Sequence, residues 1–141
     1  RLVAQLNGKG GSGAAVAVYS INRDGTLTAQ PGSPLLTTAQ GTDIAWVPLG
    51  RYIAVAAKDG LWIYSSSSGT APIPVGGAPA VAGPIDHLAF NKAGTLLFAT
   101  NASAQNLYVF NFNSSTGVAT PAPGSPHNMS LAPYELVIAE R

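Results

Sequence analysis

A repeat of about 46 residues is the feature of this sequence that most constrains its fold. The tetrapeptide Pro-Gly-Ser-Pro occupies residues 31–34 and returns at 123–126, which begins 92 residues later. Each copy follows an apolar run and a turn that contains glycine. A more diverged copy of the run places Tyr64 45 residues after Tyr19 and 46 residues before Phe110. The chain is therefore built from successive copies of one unit.

The length and content of this unit indicate its structure. A period of this size, filled with short apolar runs and turn residues, is typical of one four-stranded β-propeller blade. No stretch combines a 3.6-residue apolar period with helix-capping residues. We therefore predict an all-β fold for the 141 residues, namely a β-propeller fragment of about three four-stranded antiparallel blades that form a partial ring.

The apolar runs also predict how the chain is divided among the blades. Residues 1–40 are expected to supply the last three strands of one blade, and 41–82 and 83–130 one complete blade each. Residues 131–141 are expected to form the innermost strand of a further or ring-closing blade. The Pro-Gly-Ser-Pro tracts fit the connection that leaves an outermost strand for the next blade, because proline fixes φ and has no amide hydrogen.

Three blades are too few to close a ring. Propellers usually close with about 4 to 8 blades, so the two end blades would expose large apolar faces. The chain also enters a strand-like run directly after Arg1. We expect a piece of a longer polypeptide, or one subunit of a ring of several chains. The expected partner is therefore other polypeptide that completes the propeller, either upstream blades of a parent or further copies of the chain.

Composition excludes several classes of function. Seven basic and six acidic residues give a net charge of +1, and no basic cluster points to nucleic acid or anionic lipid. The apolar run at 53–57 is far shorter than the ~18 residues of a membrane span. Because the chain has no cysteine, it has no disulfide or thiol chemistry. The low charge and the abundance of small polar residues favour a secreted, periplasmic or cell-surface bacterial protein.

Three polar residues occupy equivalent positions at the starts of the innermost strands. Asp43, His87 and Glu135 each precede an apolar triplet, and such strand starts converge on the central channel of a propeller. Two carboxylates and an imidazole around an axial pocket could serve as a general acid and base or as a weak cation site. Alternatively, these residues are polar only because the channel mouth is wet.

Neither a cofactor nor a metal site is predicted. His127 has no nearby histidine or suitably spaced carboxylate to complete a metal site. The glycine-rich stretch at 8–13 has its lysine before the glycines and is followed by a strand-like run, which is unlike a phosphate-binding loop. We interpret this stretch as a flexible loop.

One blade carries a resemblance to a known family. Residues 83–94, Gly-Pro-Ile-Asp-His-Leu-Ala-Phe-Asn-Lys-Ala-Gly, resemble the repeat of the seven-bladed lactonase-type propellers. This group contains 6-phosphogluconolactonase and the fungal carboxymuconate-lactonizing enzymes, and its secreted bacterial members have connections similar to the Pro-Gly-Ser-Pro tracts. In the enzymes the motif is Gly-Pro-Arg-His, with Asn-Glu after the second strand. Here His87 matches the histidine, but Ile85 and Asp86 replace the arginine, and Ala102 follows Asn101.

Two functions are compatible with this pattern. The missing arginine and glutamate favour a non-catalytic secreted or surface propeller module for binding or assembly, with a degenerate lactonase-like channel. The alternative implied by the resemblance is a lactone hydrolase that acts on a small-molecule lactone. In that enzyme His87 would be the general base, Asp86 and Glu135 would complete the catalytic set in this chain, and further catalytic residues would lie in other blades.

Overall fold

The computed structural model describes residues 2–7, 15–36, 39–48, 50–67 and 69–139. These residues form fourteen strands and no helix, so the prediction of an all-β chain is confirmed. The glycine-rich stretch at 8–13 lies outside the described residues, as do the last two residues of the chain.

The strands form three antiparallel sheets that follow each other along the chain. The first sheet contains β1 (Leu2–Asn7), β2 (Ala15–Ile21), β3 (Leu27–Ala29) and β4 (Leu35–Leu36). The second contains β5 (Gly41–Trp46), β6 (Tyr52–Ala57), β7 (Gly60–Ser65), β8 (Ile73–Pro74) and β9 (Val81–Ala82). The third contains β10 (His87–Phe90), β11 (Leu96–Asn101), β12 (Asn106–Phe112), β13 (Ala119–Pro121) and β14 (His127–Asn128).

All three sheets share one plan. In the second sheet the order is β5-β6-β7-β8, and β9 pairs with the same edge of β7 as β8, so that two short strands form one broken outer row. The third sheet repeats this order with β10 to β14. The first sheet has β1, β2 and a broken outer row of β3 and β4. Among the described residues, it has no strand at the position of β5 and β10.

The register of the innermost strands is the same in the second and third sheets. Trp46 lies opposite Ile53, and Phe90 lies opposite Leu97. In each pair the second copy comes 44 residues after the first. The equivalence of the two units that was predicted from the sequence therefore extends to individual pairs of residues.

The second sheet is packed between the other two, and all six residues of β6 are buried. Successive strand residues point to opposite faces, so Ile53 and Val55 contact the first sheet while Ala54 and Ala56 face the third. Phe112 adds edge-to-face ring contacts with Tyr52 at 5.9 Å and with Phe90 at 5.1 Å between ring centroids. A strand buried on both faces has no polar side, which explains why its sequence is a continuous apolar run.

The Pro-Gly-Ser-Pro tracts lie in a different place from the one expected. They interrupt the outer row, between β3 and β4 and between β13 and β14, instead of leaving the sheet. The hydroxyl of Ser33 accepts a hydrogen bond from the Val18 amide at 2.7 Å, and Ser125 does the same for Val109 at 2.9 Å. The serine hydroxyl accepts the bond that a backbone carbonyl would accept in a continuous strand. The chain can therefore pair again with the same strand before it crosses to the next sheet.

Removal of this hydroxyl should weaken the third sheet. We expect Ser125→Ala to lower the free energy of unfolding by about 1 kcal/mol, because the Val109 amide loses its acceptor. Ser130→Ala, at an exposed position, is the control and should leave the urea midpoint unchanged. Equal midpoints for the two variants would show that the hydroxyl does not support the broken row.

The segment after the third sheet differs from the expected innermost strand. Residues 132–139 form no strand, and no described strand pairs with them. Tyr134 is 91% exposed and Val137 is 77% exposed. A strand requires a hydrogen-bonded neighbour, so the formation of a strand by this segment stays a prediction for an assembled state.

Candidate functional site

The three aligned residues Asp43, His87 and Glu135 line one pocket of about 550 Å³. Asp43 lies in β5, His87 begins β10, and Glu135 lies in the segment that follows the third sheet. The register explains the first two positions, since Asp43 lies opposite Ala56 and His87 lies opposite Thr100, 44 residues later. The other lining residues are Asp86, Ala102, Pro133, Tyr134 and Leu136.

Asp43 connects the second sheet to the third. Its Oδ1 accepts a hydrogen bond from the Ile44 amide at 2.8 Å, and its Oδ2 accepts one from the Leu88 amide at 2.9 Å. The neighbouring Thr42 hydroxyl donates to the Ile85 carbonyl oxygen at 2.6 Å. Both oxygens of Asp43 are thus engaged with the backbone, one of them across the boundary between the sheets.

His87 lies beside this carboxylate but is not hydrogen-bonded to it. The distance from His87 Nδ1 to Asp43 Oδ2 is 4.0 Å, which exceeds hydrogen-bonding distance. The two side chains are about one-third exposed, at 39% for His87 and 33% for Asp43. The pair can attract electrostatically only when the imidazole is protonated, and its exposure to solvent weakens that attraction.

Asp86 has contacts that the sequence did not indicate. Its Oδ2 accepts a hydrogen bond from the Ala102 amide at 2.7 Å, and its Oδ1 lies 3.5 Å from Lys58 Nζ. Lys58 belongs to the turn between β6 and β7. Asp86 therefore ties the second sheet to the turn between β11 and β12.

Asn101 stands where the lactonase-type motif has asparagine before glutamate. It is 7% exposed, and its Oδ1 accepts hydrogen bonds from the Ser103 hydroxyl at 2.8 Å and the Ala104 amide at 2.9 Å. These are the bonds of a tight turn closed by an asparagine side chain. Asn101 thus closes the hairpin between β11 and β12.

The pocket brings together three carboxylates and one imidazole. Glu135 is exposed on a segment that forms no strand, so its place beside His87 is not fixed by a sheet register. Among the described residues, no group of three or more histidine and acidic side chains is arranged to hold a metal ion. The arrangement offers hydrogen-bond acceptors and negative charge around an open cleft.

Comparison with known proteins supplies no further assignment. No protein-family model matches the chain, and no curated protein is significantly similar to it in sequence. In the part of the chain that the structure describes, no helix is long and apolar enough to cross a membrane.

The bridging role of Asp43 can be tested by stability. We expect Asp43→Ala to cost about 1 to 2 kcal/mol of unfolding free energy, because the Leu88 amide at the sheet boundary loses its acceptor. Asp43→Asn keeps one acceptor oxygen and should lose less. Denaturant titration of both variants, with Glu135→Ala as an exposed control, gives the comparison. Wild-type stability in Asp43→Ala would show that the bridge contributes nothing.

Proposed function

We propose that this chain is a segment of a β-propeller, with the three sheets as consecutive blades, and that it acts in binding or assembly without catalysis. The observation that carries the proposal is the position of the second sheet, which is buried on both faces by its neighbours. The first and third sheets share its plan, and each packs one face against the second. Each should therefore use its other face to pack against further polypeptide.

The outward face of the third sheet supports this proposal. Strand alternation places Leu96, Phe98 and Val109 on the face that points away from the second sheet, and all three are only partly buried. Leu97 and Ala99, on the inward face, are fully buried. A sheet with apolar residues on both faces requires a cover on both.

The contacts in the pocket support a non-catalytic role. His87 is 4.0 Å from Asp43, so this carboxylate does not orient the imidazole through a hydrogen bond. At the position of the motif's arginine, Ile85 is 1% exposed within the core, and Asp86 is bonded to an amide. Asp86 also lies 3.5 Å from the Lys58 ammonium. Asp43 and Asp86 thus join the sheets.

The cellular location that we propose is outside the bacterial cytoplasm, either secreted or at the surface. Only 9% of the residues are charged, and the exposed turns are rich in serine, threonine, glycine and proline. Such a composition suits a secreted or surface protein of a bacterium.

Light scattering on the purified chain tests the assembly role. We expect a particle mass above the 14.3 kDa of one chain at micromolar concentration, because the uncovered apolar faces favour association. A cooperatively folded monomer under these conditions would contradict the proposal.

A separate assay with a panel of lactones should show no hydrolysis. Hydrolysis that His87→Ala abolishes would instead support the lactone hydrolase.

A further inference from the structure

We propose that the partner is a second copy of this chain, and that residues 134–138 of one copy form the missing innermost strand on β1 of the other. The inference rests on the proposed propeller assembly and deepens it, since it names the partner and the contact. Two observations carry it: an open strand position in the first sheet and a segment without a strand partner after the third.

Within the described part of the chain, the first sheet lacks one row at a defined place. Its strands β1 and β2 correspond to β6 and β7, and β3 and β4 together form the broken outer row. In the other two sheets, β5 and β10 cover the free edge of the corresponding strand. One edge of β1 is unpaired among the described residues, and such an edge presents amide and carbonyl groups that can pair with another strand.

The segment at 134–138 has the sequence that belongs in this row. Glu135 precedes an apolar triplet as Asp43 and His87 do, and Leu136, Val137 and Ile138 follow it. Val137 is 77% exposed although it is apolar. Exposed apolar residues in a segment without backbone partners are what pairing with a sheet would cover.

The repeat fixes the register of the proposed contact. The strands β1, β6 and β11 occupy the same position in their sheets. Each has one residue that lies opposite an aromatic residue of the next strand: Val3 opposite Tyr19, Ile53 opposite Tyr64, and Leu97 opposite Phe110. On their other side, Ile53 and Leu97 lie opposite the residues three positions after Asp43 and His87, respectively. The residue three positions after Glu135 is Ile138. Ile138 should therefore lie opposite Val3, with Val137 opposite Ala4 and Leu136 opposite Gln5.

The segment reaches a second copy rather than its own β1. The second sheet lies between the first and the third, and β5 contacts both β1 and β10. The segment lines a pocket with Asp43 of β5, but among the described residues it does not pair with β1 of its own chain. The three sheets of one chain are also fewer than about 4, the smallest number at which propellers usually close, so the ring needs a second copy. Reciprocal exchange between two copies would give six four-row sheets, and this number is within the range of about 4 to 8 at which propellers close.

Disulfide trapping between two single-cysteine variants tests this register, and the chain has no native cysteine to interfere. Directly opposed residues have Cα atoms about 4.5–5.5 Å apart, a separation that a disulfide can span. Ala4→Cys and Gln5→Cys are made in chains with one affinity tag, and Val137→Cys and Leu136→Cys in chains with another. Each variant of the first kind is mixed with each of the second and oxidised mildly.

We expect two matched pairs to cross-link, Ala4→Cys with Val137→Cys and Gln5→Cys with Leu136→Cys. The two mismatched pairs use the same four variants one residue out of register, and successive strand residues point to opposite faces. Their yield of doubly tagged dimer should be at least several-fold lower. Circular dichroism and thermal unfolding of each variant before mixing identify any variant that misfolds, so that the yields of the remaining pairs report the register.

The outcomes separate the two proposals. A particle of twice the chain mass with cross-linking only in the matched pairs supports strand exchange between two copies. Association without preference for the matched pairs would overturn strand exchange and leave propeller assembly in place. A cooperatively folded monomer that yields no cross-linked dimer would overturn both.

Discussion

Replacement of Ile53 by aspartate is expected to unfold the chain. Ile53 is fully buried between the first and second sheets, where it packs with Val16, Val18 and Tyr64. An unpaired carboxylate in this site costs several kcal/mol, and a domain of this size is stable by only about 5–15 kcal/mol. Circular dichroism should show the loss of the β signal and of a cooperative thermal transition.

Ile73→Asp is the matched control for this substitution. Ile73 lies in β8 and is 61% exposed, so the same chemical change there should alter the free energy of unfolding by no more than about 0.5 kcal/mol. A wild-type melting temperature in Ile53→Asp would contradict the burial of the second sheet on both faces.

The second large effect is expected at Gly117, where a side chain would meet both a backbone and a packing constraint. Gly117 has a φ of +75°, and an added Cβ would overlap the ring of Tyr52. The ring cannot move freely, because the Tyr52 hydroxyl donates a hydrogen bond to the Ser115 carbonyl oxygen at 2.9 Å. We expect Gly117→Ala to lower the free energy of unfolding by about 3 kcal/mol or more.

Gly25→Ala separates the two contributions. Gly25 occupies the equivalent turn of the first sheet with a φ of +85°, but no atom lies within 4 Å of an added Cβ. Its substitution should therefore cost only the backbone term of about 1–2 kcal/mol. Denaturant titration gives both values, and equal losses at the two glycines would show that the contact with Tyr52 does not contribute.

The sequence was sufficient to predict the strand content and the relation between the units. Apolar runs and turn glycines indicate the strands, and the repeat aligned the innermost strands of the second and third sheets. The register agrees with this alignment, because Trp46 lies opposite Ile53 and Phe90 lies opposite Leu97. The repeat also aligned Asp43 with His87, and these residues line one pocket. Such features are periodic along the chain, and a period can be read without knowledge of tertiary contacts.

The contacts between side chains and backbone were not predictable in this way. The pairing of Asp86 with Lys58 and the Asp43 bond to the Leu88 amide join different sheets, and no local pattern specifies them. The Pro-Gly-Ser-Pro tracts were placed outside the sheet because proline normally ends a strand. The hydroxyl of Ser33 or Ser125 compensates for that break, and this compensation depends on the three-dimensional position of the hydroxyl.

The broken outer rows also have a consequence for the behaviour of the protein at high concentration. Sheets with long, regular outer edges can pair with each other through the backbone, which leads to aggregation. Here each outer row consists of strands of only two or three residues separated by a loop, and two of the three rows carry a Pro-Gly-Ser-Pro tract. The outer rows are therefore poor templates for unwanted strand addition, whereas the strand exchange that we propose would use the unpaired edge of β1.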